Sequence, residues 1–316
     1  MFLLLLLAGL VLILVGADWL TDGAADVAKR LRISEFVVGM TVIAIGTSTP
    51  ELTVSLLSAV KGHTEMAVGN VVGSNLFNIF VVVGICALIT PIPLTRSNIR
   101  FDIPVCMAVS LLLLACGCRG IITQQTGMAM VAAYIMLLWY TVRTSRPEAP
   151  GNTPPQEKSH KTTGRPWLTA AMIVGGLCAL VGGGEMFVSG ATELARRLGV
   201  SESVIAITLV AGGTSLPELA SSVVSLVKGR SGMALGNAIG SNTANILLVL
   251  GASATAHPLM FGTITVTDLC VVLASSVLLM LTAFTFRRRA IDRWEGTIFV
   301  IIYTAYIVWL IKSHNP

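Results

Sequence analysis

Two acidic residues carry the clearest chemical information in this sequence, because each lies in a polar motif within an apolar stretch. Glu51 belongs to GTSTPEL at residues 46–52, and Glu218 belongs to GTSLPEL at residues 213–219. The apolar stretches around the two motifs contain no Lys or Arg that could neutralise either carboxylate. A carboxylate in apolar surroundings is costly unless it is paired, so a bound cation is the expected partner.

Both motifs also contain the other oxygen atoms that a hard cation requires. Pro50 lacks an N–H and crowds the carbonyl group four residues earlier, so a kink that exposes carbonyl oxygens from about Ala44 to Thr47 is expected. Helical spacing places Thr47, Ser48 and Glu51 on one side of this segment. The corresponding residues of the second motif are Ala211, Thr214, Ser215 and Glu218. Carboxylate, hydroxyl and carbonyl oxygens together suit calcium, and sodium by similar chemistry.

A second polar motif follows each acidic motif and adds amide and hydroxyl groups. GNVVGSN at residues 69–75 returns as GNAIGSN at residues 236–242, and the GxxxG spacings permit close helix packing. The pairs that lie one helical turn apart are Ser74 with Asn78 and Ser241 with Asn245. These side chains could bind the cation, or they could serve only as hydrogen bonds between helices.

The two halves of the chain form a repeat with a constant offset of 167 residues. Between residues 46–78 and residues 213–245, 19 of 33 positions are identical without a gap. Residues 16–31 match residues 183–198 at the same offset, so the apolar start of the chain is expected to be a membrane span rather than a cleaved signal peptide. A repeated polar motif in apolar surroundings is typical of an ion or substrate site between repeats.

The composition is that of a polytopic membrane protein. Hydrophobic residues make up 54% of the 316 residues, charged residues make up 12%, and the mean hydropathy is +0.82. Each half contains five apolar stretches long enough to cross about 30 Å of hydrocarbon as a helix. The predicted spans are residues 2–28, 33–60, 65–90, 98–118, 121–143, 167–195, 201–227, 232–256, 263–285 and 293–312. The predicted fold is therefore all-α, with about ten transmembrane helices.

Five spans in each half require the second half to enter the membrane from the opposite side. The predicted halves are residues 1–143 and 167–316, and the Pro-rich polar segment 144–166 is predicted to be a linker. The halves then form an inverted repeat whose two-fold axis lies in the membrane plane. Placing the N-terminus outside puts 16 of the 21 Lys and Arg residues on the inner side. We therefore expect a cell-membrane protein with both termini outside and a cytoplasmic linker.

Charge distribution and motif content argue against several other classes of protein. The net charge of +5 is explained by the Lys and Arg residues of the loops on the inner side, which orient the protein in the membrane. Nucleic-acid binding is therefore not expected. The sequence contains no HExxH, GxSxG or P-loop motif, which argues against an ATP-driven pump. The expected partners are calcium, sodium and the lipid bilayer, with no resident cofactor and no obligatory protein partner. Five further acidic residues could line an ion path or lie near the membrane interface, namely Asp18, Asp22, Asp26, Glu185 and Glu193.

The paired motifs GTSTPEL and GTSLPEL, each followed by GN–GSN, resemble the two alpha repeats of the cation/calcium exchanger superfamily. The resemblance covers both repeats and the ten-span layout, and it implies exchange of sodium for calcium by alternating access at the membrane midplane. It assigns ion binding to backbone carbonyls near Ala44 and Ala211 and to the side chains of Thr47, Ser48, Glu51, Ser74, Asn78, Thr214, Ser215, Glu218, Ser241 and Asn245.

Two departures from the patterns of this superfamily bear on the coupling ion. Related exchangers often have Asp at one of the positions of Asn78 and Asn245, and an Asp in the second repeat is associated with potassium dependence. With Asn at both positions, potassium coupling is not expected. The proton-coupled branch has a Glu shortly after its Gly-Asn, whereas both motifs here continue to Gly-Ser-Asn, which favours sodium.

The predicted function is therefore a secondary antiporter that exchanges sodium for calcium, and not an enzyme. A proton-coupled calcium or cation antiporter is the alternative within transport, and a passive cation channel would differ by needing no counter-ion. A membrane-embedded enzyme could use Glu51 and Glu218 as an acid/base pair. That alternative lacks a candidate nucleophile or a His spacing suited to a metal.

Overall fold

Helices make up most of the chain in the computed structural model, which describes residues 2–145, 165–198, 211–285 and 289–314. In chain order the helices are α1 Phe2–Leu31, α2 Glu35–Thr47, α3 Thr49–Val60, α4 Thr64–Ile89, α5 Asn98–Cys118, α6 Gln124–Thr144, α7 Pro166–Arg197, α8 Leu216–Val227, α9 Ser231–Ala256, α10 Val266–Leu281 and α11 Arg293–His314. Four two-residue strands, which the sequence did not predict, are β1 Ile92–Pro93, β2 Ile121–Ile122, β3 Leu259–Met260 and β4 Ala290–Ile291.

The described helices confirm an all-α membrane fold. Seven are long and apolar enough to cross a membrane, and the bent pair α2–α3 makes an eighth span if it is counted as one. The apolar helices α8 and α10 are shorter, so the count of ten remains a prediction. Most of the predicted linker, residues 146–164, and the first part of the predicted span 201–227 lie outside the described residues.

The repeat in the sequence reappears element by element in the structure. The bounds of α8, α9 and β3 follow from those of α3, α4 and β1 by adding 167 to each residue number. The central helices α4 and α9 are the most enclosed, with 67% and 94% of their most apolar windows buried. By contrast, 28% or less of the corresponding window is buried in α1, α6, α7 and α11, so these helices have apolar faces for lipid.

The equivalent helices α1 and α7 pack against each other in opposite directions. A Cβ atom added at Gly9 would lie 2.7 Å from the carbonyl oxygen of Gly183, and one at Gly16 would lie 2.7 Å from that of Gly176. The residues of α7 that contact α1 decrease in number as the residue numbers of α1 increase, so the two helices are antiparallel. Only glycine permits two helix backbones to approach this closely. Two equivalent helices that run antiparallel are related by a two-fold axis across them, as an inverted repeat requires.

The short strands join the two halves reciprocally. In the antiparallel ribbons, β1 of the first half pairs with β4 of the second, and β2 of the first half pairs with β3 of the second. Each ribbon therefore contains one strand from each half of the chain. The halves interlock at the ribbons and along α4 and α9, which brings the two acidic motifs together.

Candidate ion-binding site

Each acidic motif lies at a break between two helical segments. The axes of α2 and α3 differ by 45°, and Ser48 at the break has ψ of 6°. In the second half, Ser215 has the same ψ of 6° immediately before α8. Pro50 and Pro217 lie in the first turn of the helix that follows each break, where a missing N–H costs nothing. The predicted kink is thus confirmed.

The breaks place both glutamates in the first turn of a helix and bury them completely. Glu51 in α3 and Glu218 in α8 each have 0% of their surface exposed. The positive end of a helix dipole stabilises a carboxylate in this position. This stabilisation amounts to about 2 kcal/mol at most, far less than the cost of burying two carboxylates without counter-ions.

Each carboxylate accepts a hydrogen bond from a serine of the other half. Ser215 Oγ donates to Glu51 Oε1 at 3.2 Å, and Ser48 Oγ donates to Glu218 Oε1 at 3.3 Å. The two bonds are equivalent, because the two-fold axis that relates the repeats maps each bond onto the other. The two glutamates therefore lie together at the interface between the halves, where the sequence predicted an ion or substrate site.

Helices α4 and α9 contribute unequally to the two carboxylates. Ser74 Oγ in α4 donates a further hydrogen bond to Glu51 Oε1 at 3.4 Å. The equivalent Ser241 Oγ in α9 is buried and has no hydrogen-bond partner among the described residues. The described part of the chain thus satisfies the serine of one half and leaves that of the other available to a ligand.

Asn78 and Asn245 are fully buried where α4 and α9 change to wider turns. Residues Asn78–Val83 and Asn245–Leu250 form π-helical turns, which are frequent at functional sites. Asn245 Nδ2 donates to Asn75 Oδ1 at 3.3 Å, whereas neither polar atom of the Asn78 side chain has a partner among the described residues. Both side chains therefore have an amide oxygen free to bind another group.

The unpaired oxygen atoms are the main chemical feature of this region. Buried side-chain oxygens of α3, α4, α8 and α9 that lack a hydrogen-bond partner among the described residues are Glu51 Oε2, Glu218 Oε2, Asn78 Oδ1, Ser225 Oγ, Ser241 Oγ, Asn242 Oδ1, Asn245 Oδ1 and Ser253 Oγ. Buried polar atoms are normally paired, so such a set is suited to binding a ligand. Carboxylate, amide and hydroxyl oxygens are ligands of hard cations. Among the described residues, no group of three or more His, Cys, Asp or Glu suggests a transition-metal site.

Asn237 is a structural member of the site to which the sequence analysis gave no role. Its Nδ2 donates to the carbonyl oxygen of Glu218 at 3.2 Å and to Ser222 Oγ at 2.9 Å, while its Oδ1 accepts from Thr47 Oγ1 at 3.3 Å. It therefore supports the break that carries Glu218 and joins it to the threonine of the other half. The hydrogen-bond partners fix which side of the amide is oxygen.

Asn70 makes the equivalent contacts in the first half. Its Nδ2 donates to the carbonyl oxygen of Glu51 at 3.4 Å and to Ser55 Oγ at 3.0 Å, and Thr214 Oγ1 donates to its Oδ1 at 3.5 Å. The signal that could have revealed both asparagines is the Gly-Asn dipeptide, which lies 18 to 19 residues after each glutamate in both repeats.

The remaining candidates differ in how the structure places them. The carbonyl oxygen of Ala44 was expected to be exposed, but it accepts the N–H of Ser48 at 3.0 Å because the helix continues to Thr47. Thr47 Oγ1 also lies within hydrogen-bond distance of this oxygen, at 3.5 Å, so a cation would compete with that hydroxyl group for the second lone pair. Ala211 begins the helical turn Ala211–Gly213 at the edge of the described residues. The ligand roles of all twelve candidate residues remain predictions.

Asp18 and Asp22 of α1 form ion pairs away from the two motifs. Asp18 Oδ1 lies 2.6 Å from Lys228 Nζ, and Asp22 Oδ1 lies 2.8 Å from the same atom. Arg230 Nη1 lies 2.9 Å from Asp22 Oδ1 and also donates to the carbonyl oxygen of Thr21 at 2.8 Å. These contacts hold α1 against the connection between α8 and α9. Glu185, the repeat equivalent of Asp18, is exposed.

Comparison with known proteins agrees with this architecture. A family model described as sodium/calcium exchanger protein matches residues 1–143 and 168–312. Sodium/calcium exchanger MaX1 of Methanosarcina acetivorans is 30% identical over an alignment of 342 positions, which covers 97% of each chain. Inner membrane protein YrbG of Escherichia coli is 31% identical, with 97% of this chain and 94% of that protein covered.

A similar solved structure has the same overall arrangement. It is that of the sodium-calcium exchanger NCX_Mj soaked with 10 mM Na+ and 10 mM Sr2+, and it aligns with a TM-score of 0.83 and 32% identity over 97% of both chains. The family match covers both halves, and the relatives are aligned over nearly their full length. The chain belongs to the sodium/calcium exchanger family.

Proposed function

We propose that this protein is a secondary antiporter that exchanges sodium for calcium across the cell membrane by alternating access. The observation that carries the proposal is the pair of fully buried carboxylates, Glu51 and Glu218, each bonded to a serine of the other half. Each has a second oxygen without a hydrogen-bond partner among the described residues. A cation bound between the halves would neutralise both.

The charge of the site explains why transport would be an exchange. The two carboxylates carry a formal charge of −2, which one calcium ion or two sodium ions neutralise. Without a cation, the conformational change would move two unpaired charges through a low-dielectric region, which is strongly unfavourable. The loaded protein can therefore change its accessible side, whereas the empty one cannot. Calcium and sodium would compete for the same oxygens, so one leaves before the other binds.

The ligands would come from both repeats in matching positions. We assign side-chain and backbone oxygens at the breaks and on the central helices to the bound ions. They belong to Ala44, Thr47, Ser48, Glu51, Ser74, Asn78, Ala211, Thr214, Ser215, Glu218, Ser241 and Asn245. Calcium takes six to eight oxygen ligands, so one ion would use only part of this set. The rest would serve additional sodium ions.

The topology proposed from the sequence suits this function. The halves would be residues 1–143 and 167–316, with residues 144–166 as a cytoplasmic linker and both termini outside. The family and its structural neighbours are transporters, and we propose that this chain has no enzymatic activity and needs no cofactor or protein partner. Its partners would be the transported ions and the bilayer.

Ion flux in proteoliposomes tests the proposal. Purified protein should take up calcium when sodium is inside and should not do so with an equal gradient of potassium or protons. Uptake driven by protons alone would establish the proton-coupled alternative. Uptake without any counter-ion gradient, at clamped voltage, would establish a channel. Absence of calcium flux under every gradient would refute the proposal.

A further inference from the structure

A basic cavity lies beside the start of α5, apart from the ion-binding site. It has a volume of about 490 Å³ and is lined by Arg96, Ile99, Arg100, Ala283, Phe284 and Arg289. Three of these six residues carry a guanidinium group and none carries a carboxylate. None of the three arginines forms a salt bridge with a carboxylate in the described part of the chain. Among the described residues that line it, the cavity therefore concentrates positive charge without a counter-charge.

The positive charge at the start of α5 has no counterpart at the equivalent place in the second half. The segment that begins the equivalent helix α10, residues 263–270, contains no Lys or Arg. It carries Asp268 instead, whose carboxylate accepts hydrogen bonds from Thr265 at the start of the helix. Both helices begin with the same kind of cap, since Asn98 accepts the equivalent bonds from Thr95. Arg96 and Arg100 are therefore an addition to the first half, on the side predicted to face the cytoplasm.

Arg289 occupies a backbone conformation that favours glycine. Its φ is 62°, and Gly120, which precedes β2 as Arg289 precedes β4, has φ of 74°. The carbonyl oxygens of both residues accept equivalent backbone bonds, from Leu94 N at 2.8 Å and from Phe261 N at 3.4 Å. A non-glycine residue is disfavoured at this φ. An arginine in a position where the repeat uses glycine indicates that its side chain has a function.

The apolar part of the cavity indicates what kind of anion it would hold. Phe284 lies just beyond the end of α10, and 64% of its surface is exposed. Ile99 and the buried Ala283 line the same cavity. A basic pocket with an apolar wall at the end of membrane helices suits an amphiphile with a phosphate group. Guanidinium groups bind phosphate oxygens in a bidentate manner.

We propose that Arg96, Arg100 and Arg289 bind the phosphate group of an anionic lipid headgroup, with the adjoining glycerol and acyl carbons against Phe284. The predicted cytoplasmic side faces the leaflet in which anionic lipids attract basic residues. Free phosphate carries the same oxygens as a lipid headgroup, so the experiment has to distinguish the two sources of the phosphate group. The inference does not rest on the proposed ion exchange.

Binding of phosphatidylglycerol to the full-length protein in detergent tests the proposal, measured by native mass spectrometry and by the shift in melting temperature. The variants are Arg96→Gln with Arg100→Gln, and Arg289→Gly, which removes the guanidinium group and relieves the backbone strain. The control is Arg119→Gln, an exposed arginine beside Gly120 at the equivalent corner. Each arginine removed from the cavity should weaken lipid binding about fivefold, and the control should bind like the wild type.

Two further arms make the outcome decisive. Phosphatidylcholine, which carries no net charge, should bind wild type and variants equally. Inorganic phosphate should not raise the melting temperature on its own; if it does so in an arginine-dependent manner, the cavity binds free phosphate and the lipid assignment is wrong. Equal binding of phosphatidylglycerol by the wild type and by Arg289→Gly, which is expected to fold, would overturn the proposal.

Discussion

Replacement of Glu51 or Glu218 by glutamine tests the site most directly, because glutamine has nearly the same shape without the charge. The hydrogen bond that Ser215 Oγ donates to Glu51 Oε1 at 3.2 Å can be retained by the new amide oxygen. The amide NH2 group then replaces Oε2, which has no partner among the described residues. The variant should therefore fold, and its stability without ions should not fall, since a buried charge has been removed.

The expected loss of calcium binding follows from the charge. The formal charge of the site changes from −2 to −1. A divalent ion about 4 Å from the lost charge forgoes roughly 8 kcal/mol of attraction at an effective dielectric constant of about 20. Changes in desolvation offset part of this, and a net loss of about 3–5 kcal/mol is typical of a buried charge left without its partner. Calcium should bind about 10²–10⁴-fold more weakly. Sodium, with half the charge, should lose less.

Sodium-driven uptake of radioactive calcium into proteoliposomes measures the effect. Flux through Glu51→Gln or Glu218→Gln should fall to about 1% of wild type or less. Glu65→Gln is the matched control, because Glu65 is exposed in the first turn of α4 and accepts a bond from Thr263 at 3.0 Å. The control should retain wild-type flux. Wild-type calcium flux in either site variant, at an unchanged melting temperature, would refute the reasoning.

Three other measurements follow from the topology, the charge and the ion pairs. In a background without native cysteines, Pro155→Cys should label from inside and Asn315→Cys from outside; labelling from one side would rule out the inverted repeat. Exchange of three sodium ions for one calcium should move one net charge across the membrane, which is worth about 2.3 kcal/mol per 100 mV. The flux should therefore respond to a membrane potential set by potassium and valinomycin, although potassium itself is not required for transport. Flux indifferent to voltage would favour two sodium ions. Arg230→Gln, which removes a partly buried pair with Asp22, should cost about 1–2 kcal/mol of stability, whereas Arg197→Gln, which removes an exposed pair, should leave the melting temperature unchanged.

Much of the fold could be predicted because its signals are local. Apolar length predicted the long helices, and Pro50 and Pro217 predicted the breaks, because a proline ring excludes the preceding helical hydrogen bond. The pairing of β1 with β4 could not be predicted. A two-residue strand has no periodicity to detect, and its partner lies almost 200 residues away in the sequence. Only the packed halves bring the two strands together.

The candidate site was predictable in composition but not in its connections. The repeat indicated that the glutamates and serines belong to one site, and the structure adds that each carboxylate is held by the serine of the other half. The roles of Asn70 and Asn237 depend on the approach of α4 and α9 to the breaks, which is a tertiary contact. The carbonyl oxygen of Ala44 was expected to be free of helical bonds, yet the helix retains its bond to Ser48 N.

The serine–carboxylate bonds between the halves keep the pseudo-two-fold symmetry, whereas the contacts around α1 do not, and alternating access requires such a difference. The two serine–carboxylate bonds differ by only 0.1 Å, from 3.2 to 3.3 Å. Around α1, however, Lys228 and Arg230 form ion pairs, while their repeat equivalents Lys61 and His63 are exposed and form none with a described carboxylate.

In an inverted repeat, exchanging the conformations of the two halves gives the state open to the opposite side. That exchange would break the contacts of α1 with Lys228 and Arg230, and it would bring α7 toward Lys61 and His63. The two serine–carboxylate bonds would keep the same partners throughout, because the exchange maps each bond onto the other. Access can therefore alternate through peripheral contacts while the ions remain bound, provided that a cation neutralises Glu51 and Glu218 during the change.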